Sequence, residues 1–165
     1  MKDQELSTQK TAYLYAIKLL TKRDYSKHKL QLKLKTRGYD EEHIQDAVDE
    51  IIEKGYLKEE TYTTAKVKGL IHKGLHPSFI QTKLEEEHIQ ITIEEINEVF
   101  KEYKVTTRDQ ILTLLSKKMR SIDFEKDQER MDQLRFKLIR YILTKGHDLE
   151  EIKFLFDELI SLKSK

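Results

Sequence analysis

The sequence contains no cysteine and no tryptophan, and only one proline and five glycines among its 165 residues. Without cysteine the chain offers no disulfide, no thiolate nucleophile and no cysteine-ligated zinc site, which fits a reducing compartment. Proline and glycine are too scarce for the many tight turns of a β-sandwich or barrel, or for a collagen-like repeat. These absences predict an all-helical protein.

Long apolar segments are missing as well. The longest uninterrupted apolar run covers residues 13–17, which is far shorter than the roughly 20 residues that a membrane-spanning helix needs. No apolar stretch follows the first residues, so the sequence predicts no signal peptide. We therefore expect a soluble protein of the cytoplasm.

What the sequence does contain is an internal repeat. Residues 33–52 match residues 141–160 without a gap at eight positions, among them Gly38 with Gly146. Self-similarity of this kind is typical of helical repeat proteins. With a middle copy between these two, the pattern predicts three tandem three-helix repeats over residues 1–58, 59–104 and 105–165, forming an elongated, curved solenoid-like molecule.

The last helix of each repeat carries one apolar stripe at the spacing of a buried helix face. In the first copy the stripe comprises Ile44, Ala47, Val48, Ile51 and Ile52. In the third copy it comprises Ile152, Leu155, Phe156, Leu159 and Ile160. The middle copy has Ile96, Val99, Phe100 and Tyr103 at the matching positions.

Helix ends are marked by residues that satisfy free backbone groups. Ser26 is a predicted N-cap, and Gly38 is suited to the left-handed conformation in which many helices terminate. Residues 92–95 and 107–110 each have the pattern of a capping box. Residues 121–127 are expected to form a polar connection.

Charge is segregated along the chain, although 31 basic and 30 acidic residues leave a net charge of only +1. Residues 21–38 hold seven bases and one acid, whereas residues 40–60 hold two bases and nine acids. The next two blocks repeat the alternation: residues 66–83 have four bases and no acid, and residues 84–103 have one base and seven acids.

Two interpretations of these blocks stay open. Acids suit helix N-termini and bases suit C-termini, so the alternation serves intramolecular packing in the first interpretation. In the second, basic helices of successive repeats form a positive stripe that follows a nucleic-acid backbone or a nucleoprotein filament. The candidate residues of that stripe are Lys22, Arg23, Lys27, Lys33, Arg37, Lys66, Lys68, Lys73, Lys83, Arg135, Lys137 and Arg140.

Signals of catalysis are poor. The sequence has no glycine-rich phosphate loop, no nucleophile elbow and no His-Glu-x-x-His helix. His72 and His76 have the spacing of two metal ligands, but Gly74 and Pro77 interrupt the helix that would align them. We expect no enzyme activity, no metal and no cofactor.

An ordered set of short motifs resembles the RecX family of recombination regulators. In the first repeat these motifs are a leucine-rich helix running into Arg23-Asp24-Tyr25-Ser26, then Lys33-Leu34, Arg37-Gly38-Tyr39 and Gly55-Tyr56-Leu57. In the second repeat they are Lys73-Gly74, Pro77 and Lys83-Leu84. The chain departs from the family at Glu85-Glu86-Glu87-His88, where a basic residue and glycine are usual.

The resemblance implies a non-catalytic regulator that binds the RecA recombinase filament on single-stranded DNA and restrains its extension and activity. The expected partners are therefore RecA and single-stranded DNA, the latter contacted directly or through the filament, and a monomer is expected. Two alternatives stay open. One is a stand-alone nucleic-acid binder, although the acidic third helices disfavour reading of the major groove. The other is a helical scaffold for another protein.

Overall fold

The computed structural model describes residues 7–120 and 130–163, and the predicted polar connection at 121–127 lies outside them. Over the described residues the chain forms nine α-helices and no strand, which confirms the all-helical prediction. Every helix in these two ranges is too short or too polar to cross a membrane. The helices are α1 (Gln9–Leu20), α2 (Lys27–Arg37), α3 (Glu41–Glu53), α4 (Glu59–His72), α5 (Pro77–Glu86), α6 (Ile93–Glu102), α7 (Thr107–Met119), α8 (Met131–Leu143) and α9 (Leu149–Lys163).

The helices group into two compact units. The first unit comprises Met1–Lys66 with Glu87–Ile89, and the second comprises Val67–Glu86 with Gln90–Lys165. Within the first unit, α1, α2 and α3 pack on one another. Within the second, α5 packs on α6, and α7, α8 and α9 form a further three-helix group. The repeat boundaries after residues 58 and 104 stay a sequence prediction.

The apolar stripe of α3 is buried at four of its five predicted positions. Ile52 is the exception, with 38% of its surface exposed, because it lies at the edge of the stripe where the helix face turns towards solvent. Tyr103 is also misassigned: it is 46% exposed, since α6 ends at Glu102 and Tyr103 is the cap residue beyond it. In α9, Ile152, Leu155 and Phe156 are buried as predicted.

Most helix ends follow the predicted caps. The Ser26 hydroxyl accepts a hydrogen bond from the Lys29 backbone N–H, and Gly38 is left-handed with φ +99°. The capping box of α6 is confirmed. The box of α7 lies one residue earlier than predicted, because Thr106 is still extended and pairs with Asp109, whereas Thr107 is already helical.

Two buried polar side chains in the second unit bind backbone carbonyls at the end of α4. The Gln110 side-chain amide donates to the carbonyls of Ile71 and Leu75, at 3.0 and 3.1 Å. The His147 ring is 3% exposed, and its Nε2 donates to the Gly74 carbonyl at 2.8 Å. Carbonyls left free by the end of a helix need such partners.

The stability of the second unit should depend on the protonation of His147. Burial lowers the pKa of this ring, and its Nδ1 is buried without a hydrogen-bond partner among the described residues. The unfolded chain therefore takes up a proton more readily than the folded one, and stability should fall as the pH drops below about 6.5. Urea unfolding between about pH 7 and pH 5 measures how steeply the free energy of unfolding depends on pH.

The substitution His147→Gln should flatten this pH dependence. The control His72→Gln changes an exposed ring and should leave it as in the wild type. Equal pH dependence in the wild type and in His147→Gln would contradict the assignment to His147.

Candidate binding groove in the first unit

A basic groove of about 560 Å³ opens on the surface of the first unit. We define it by the nine residues that line it: Arg23, Asp24, Tyr25, Lys29, Leu32, Lys33, Thr36, Tyr62 and Lys66. Four of these side chains are cationic and one is acidic, so the groove carries an excess of positive charge. Three of the predicted cations line it together.

Helix periodicity explains how these cations come together. On α2, Lys29, Lys33 and Thr36 are spaced four and three residues apart, which places them on one helix face. On α4, Tyr62 and Lys66 are four residues apart and line the same groove. The segment that precedes α2 contributes Arg23. The first turn of α2 is held near α4 by the Glu59 carboxylate, which accepts a hydrogen bond from the Lys27 backbone N–H at 3.2 Å.

Two of the cations lie beside aromatic rings. The Arg23 guanidinium lies 4.6 Å from the centroid of the Tyr25 ring, and the Lys66 ammonium lies 5.9 Å from that of Tyr62. Contacts of this kind restrict a side chain while leaving its charge available to a ligand. Because Tyr25 is buried, it serves packing rather than stacking on a nucleobase.

The four cations differ in whether their charge is already paired. The Glu87 carboxylate contacts both Lys29 and Lys66, and its hydrogen bond raises the pKa of Lys29. Arg23 and Lys33 are exposed and form no ion pair within the described part of the chain. These two residues are therefore the groove cations most available to an anionic partner.

The structure brings three of the twelve predicted stripe residues into the groove: Arg23, Lys33 and Lys66. The other three of the first repeat lie elsewhere on the first unit. Lys22 is exposed, Lys27 pairs with Asp49 at 3.6 Å, and the Arg37 guanidinium lies 5.0 Å from the Tyr15 ring centroid.

The predicted residues of the second unit are not among those that line the groove. Two of them have intramolecular acidic partners: Lys68 contacts Glu102 at 3.8 Å, and Arg135 contacts Asp157 at 3.0 Å. Both contacts fit the intramolecular interpretation of the charge blocks. Exposed side chains without an acidic partner in the described ranges are those of Lys73, Lys83, Lys137 and Arg140.

Sequence reasoning missed Lys29 and Tyr62 as parts of this surface. Lys29 could have been found, because it precedes Lys33 by four residues and so shares its helix face. Tyr62 could not, since nothing in its local sequence indicates that α4 lines a groove with α2.

His72 and His76, which have the sequence spacing of two metal ligands, lie in different surroundings. His72 is exposed, whereas the His76 ring forms a hydrogen bond with the Ser78 hydroxyl and lies 5.7 Å from the His147 ring. The described residues include no group of three or more potential metal-ligating His, Asp or Glu side chains.

Known proteins are similar to this chain in sequence and in fold. Residues 12–50, which span most of α1, α2 and most of α3, match the family model of the first three-helix domain of RecX. The regulatory protein RecX of Legionella pneumophila is 28% identical over 151 residues, covering 91% of this chain and 95% of its own. Together these findings support the RecX family for this chain.

Further RecX proteins are similar to this chain over different lengths. The regulatory protein RecX of Vibrio cholerae is 32% identical over 71 residues, which are 43% of this chain and 47% of that protein; the alignment thus spans about half of that relative. The crystal structure of RecX from Lactobacillus salivarius has the same fold, with a TM-score of 0.67 at 18% identity over 96% of this chain and 98% of that one. The RecX model match includes the α2 side of the groove and ends before Tyr62 and Lys66.

Proposed function

We propose that this protein binds the RecA recombinase filament on single-stranded DNA and inhibits its extension and activity, thereby regulating recombination and DNA repair. It acts in the cytoplasm and without chemistry of its own. RecX relatives are named as regulatory proteins, which supports a role exerted on a partner. The filament as that partner follows from the family resemblance.

The basic groove is the observation that carries this proposal. Its lysines and arginine are suited to phosphate oxygens, which dominate the affinity of proteins for nucleic acids. Within the described residues, Arg23 and Lys33 form no ion pair that a ligand must first break. The partly exposed Tyr62 ring on the α4 side adds a surface that can pack against a base or sugar.

Co-sedimentation tests the proposal against its alternatives. The protein is mixed with RecA filaments on single-stranded DNA, with bare single-stranded DNA, or with bare duplex. We expect the largest bound fraction on the filament and the smallest on the duplex. Equal binding to all three would favour the stand-alone nucleic-acid binder, and absence of binding to any would favour a scaffold for another protein; either result would contradict the proposal.

A further inference from the structure

One carboxylate sits between two lysines of the basic groove. The ammonium of Lys66 lies 3.0 Å from Oε1 of Glu87, and the ammonium of Lys29 contacts Oε2 of the same side chain. Each carboxylate oxygen therefore has its own ammonium, one from α4 and one from α2. All three side chains remain about one third exposed, so a ligand in the groove can reach them.

The segment that carries Glu87 is fixed in the first unit by its two following residues. His88 adopts a left-handed backbone with φ +58°, a conformation that costs a residue other than glycine about 1 kcal/mol or more. Its ring centroid lies 4.0 Å from that of His28 on α2, and Ile89 is buried with 2% exposure. These contacts hold Glu87 beside the lysines, so the contact is built into the local fold.

The electrostatics favour an ionised anion at this point. Partial burial opposes ionisation of Glu87, but hydrogen bonds and charges from Lys29 and Lys66 outweigh it and lower the pKa of the carboxyl. Two ammonium groups, each on a separate oxygen, also match the two non-bridging oxygens of a phosphodiester. A phosphate placed there lies in the same groove as Arg23 and Lys33.

We propose that Lys29 and Lys66 form a phosphodiester-binding site that the carboxylate of Glu87 occupies in the free protein. A nucleic-acid phosphate entering the groove displaces Glu87, so this side chain acts as a built-in competitor that lowers affinity for DNA. The inference rests on the proposed function in one respect, that the groove meets the DNA backbone.

The substitution Glu87→Gln tests the competition. It keeps the size of the side chain and removes its charge, so affinity for a labelled oligothymidine should rise about fivefold, the order set by one or two partly exposed ion pairs. The matched control is Glu86→Gln, which changes the net charge equally at the exposed neighbouring residue. Affinity is measured by fluorescence anisotropy on the full chain, with a thermal melt to verify folding.

A second set of variants assigns the gain to the two lysines. When both Lys29 and Lys66 are replaced by glutamine, the further substitution Glu87→Gln should no longer raise the affinity, because the site that the carboxylate blocks is then gone. Equal affinities of Glu87→Gln and Glu86→Gln would overturn the proposal, as would a gain that survives the loss of both lysines. A gain on RecA filaments without one on oligothymidine would overturn the assignment of the ligand as a phosphodiester.

These results are separable from failure of the proposed function. Inhibition of RecA by the wild-type protein tests that function without any substitution at Glu87. If the wild type fails to inhibit RecA while Glu87→Gln still binds oligothymidine more tightly than Glu86→Gln, the site stands and the partner is wrong. If the wild type inhibits RecA and the two variants bind alike, the partner stands and the site is wrong.

Discussion

Replacing Arg23 and Lys33 together by glutamate should weaken binding to the RecA–single-stranded DNA filament by about 25-fold at about 0.1 M salt. Both side chains line the groove and have no acidic partner in the described chain. Each lost phosphate contact should also flatten the dependence of log K on log salt by roughly 0.7 for single strands. Anisotropy titrations at several salt concentrations measure both effects.

The matched control is the exchange of Arg140 and Lys137 for glutamate in the second unit. It removes one arginine and one lysine, so the net charge changes by the same amount, and both side chains are exposed on α8. We expect less than a twofold change in affinity, because neither side chain is among the residues that line the groove. Equal losses in the two variants would contradict a localised groove and favour the extended stripe.

The substitution Gly146→Ala should lower the stability of the second unit by about 3 kcal/mol, the sum of a backbone cost and a packing cost. Gly146 has φ +87°, and a Cβ there would lie 2.7 Å from the Cβ and 2.9 Å from the Cγ of Phe79. The left-handed backbone costs an alanine about 1 kcal/mol, and overpacking adds about 1 to 3 kcal/mol. Urea unfolding followed by circular dichroism measures the loss.

Gly38→Ala is the control from the matching position of the first repeat. Gly38 is also left-handed, with φ +99°, but a Cβ there would meet no atom within 4 Å. Its loss should therefore be limited to backbone strain, about 1 kcal/mol. The same loss for both alanines would show that Phe79 yields without cost and would contradict the packing argument.

The sequence repeat predicted the helical fold well because local rules determine it. Gly38 and Gly146 both adopt the left-handed conformation that their position in the repeat indicates. The same rules do not reveal what packs against a repeated position. Phe79 lies 67 residues before Gly146 in the sequence, so no local pattern indicates that their atoms nearly touch.

The candidate groove likewise combines residues that the local sequence predicts with contacts that it does not predict. The basic block around α2 indicates Arg23 and Lys33, whereas Lys29 is missing from the predicted set although it shares a helix face with Lys33. Glu87 could only be judged a departure from the family pattern, because the hydrogen bond from Lys29 to Glu87 joins residues 58 apart in the sequence. Charge blocks indicate where cations are numerous, but ion pairs such as that of Lys27 with Asp49 decide which cations remain available.

Titration of the protein into a RecA–single-stranded DNA reaction tests the central claim most directly. ATP hydrolysis and strand exchange are followed as the protein is added at amounts well below one copy per RecA protomer. We predict a progressive loss of both activities, because a regulator that stops filament extension acts on many protomers at once. Unchanged ATP hydrolysis and strand exchange at equimolar protein would contradict the claim that this protein restrains the filament.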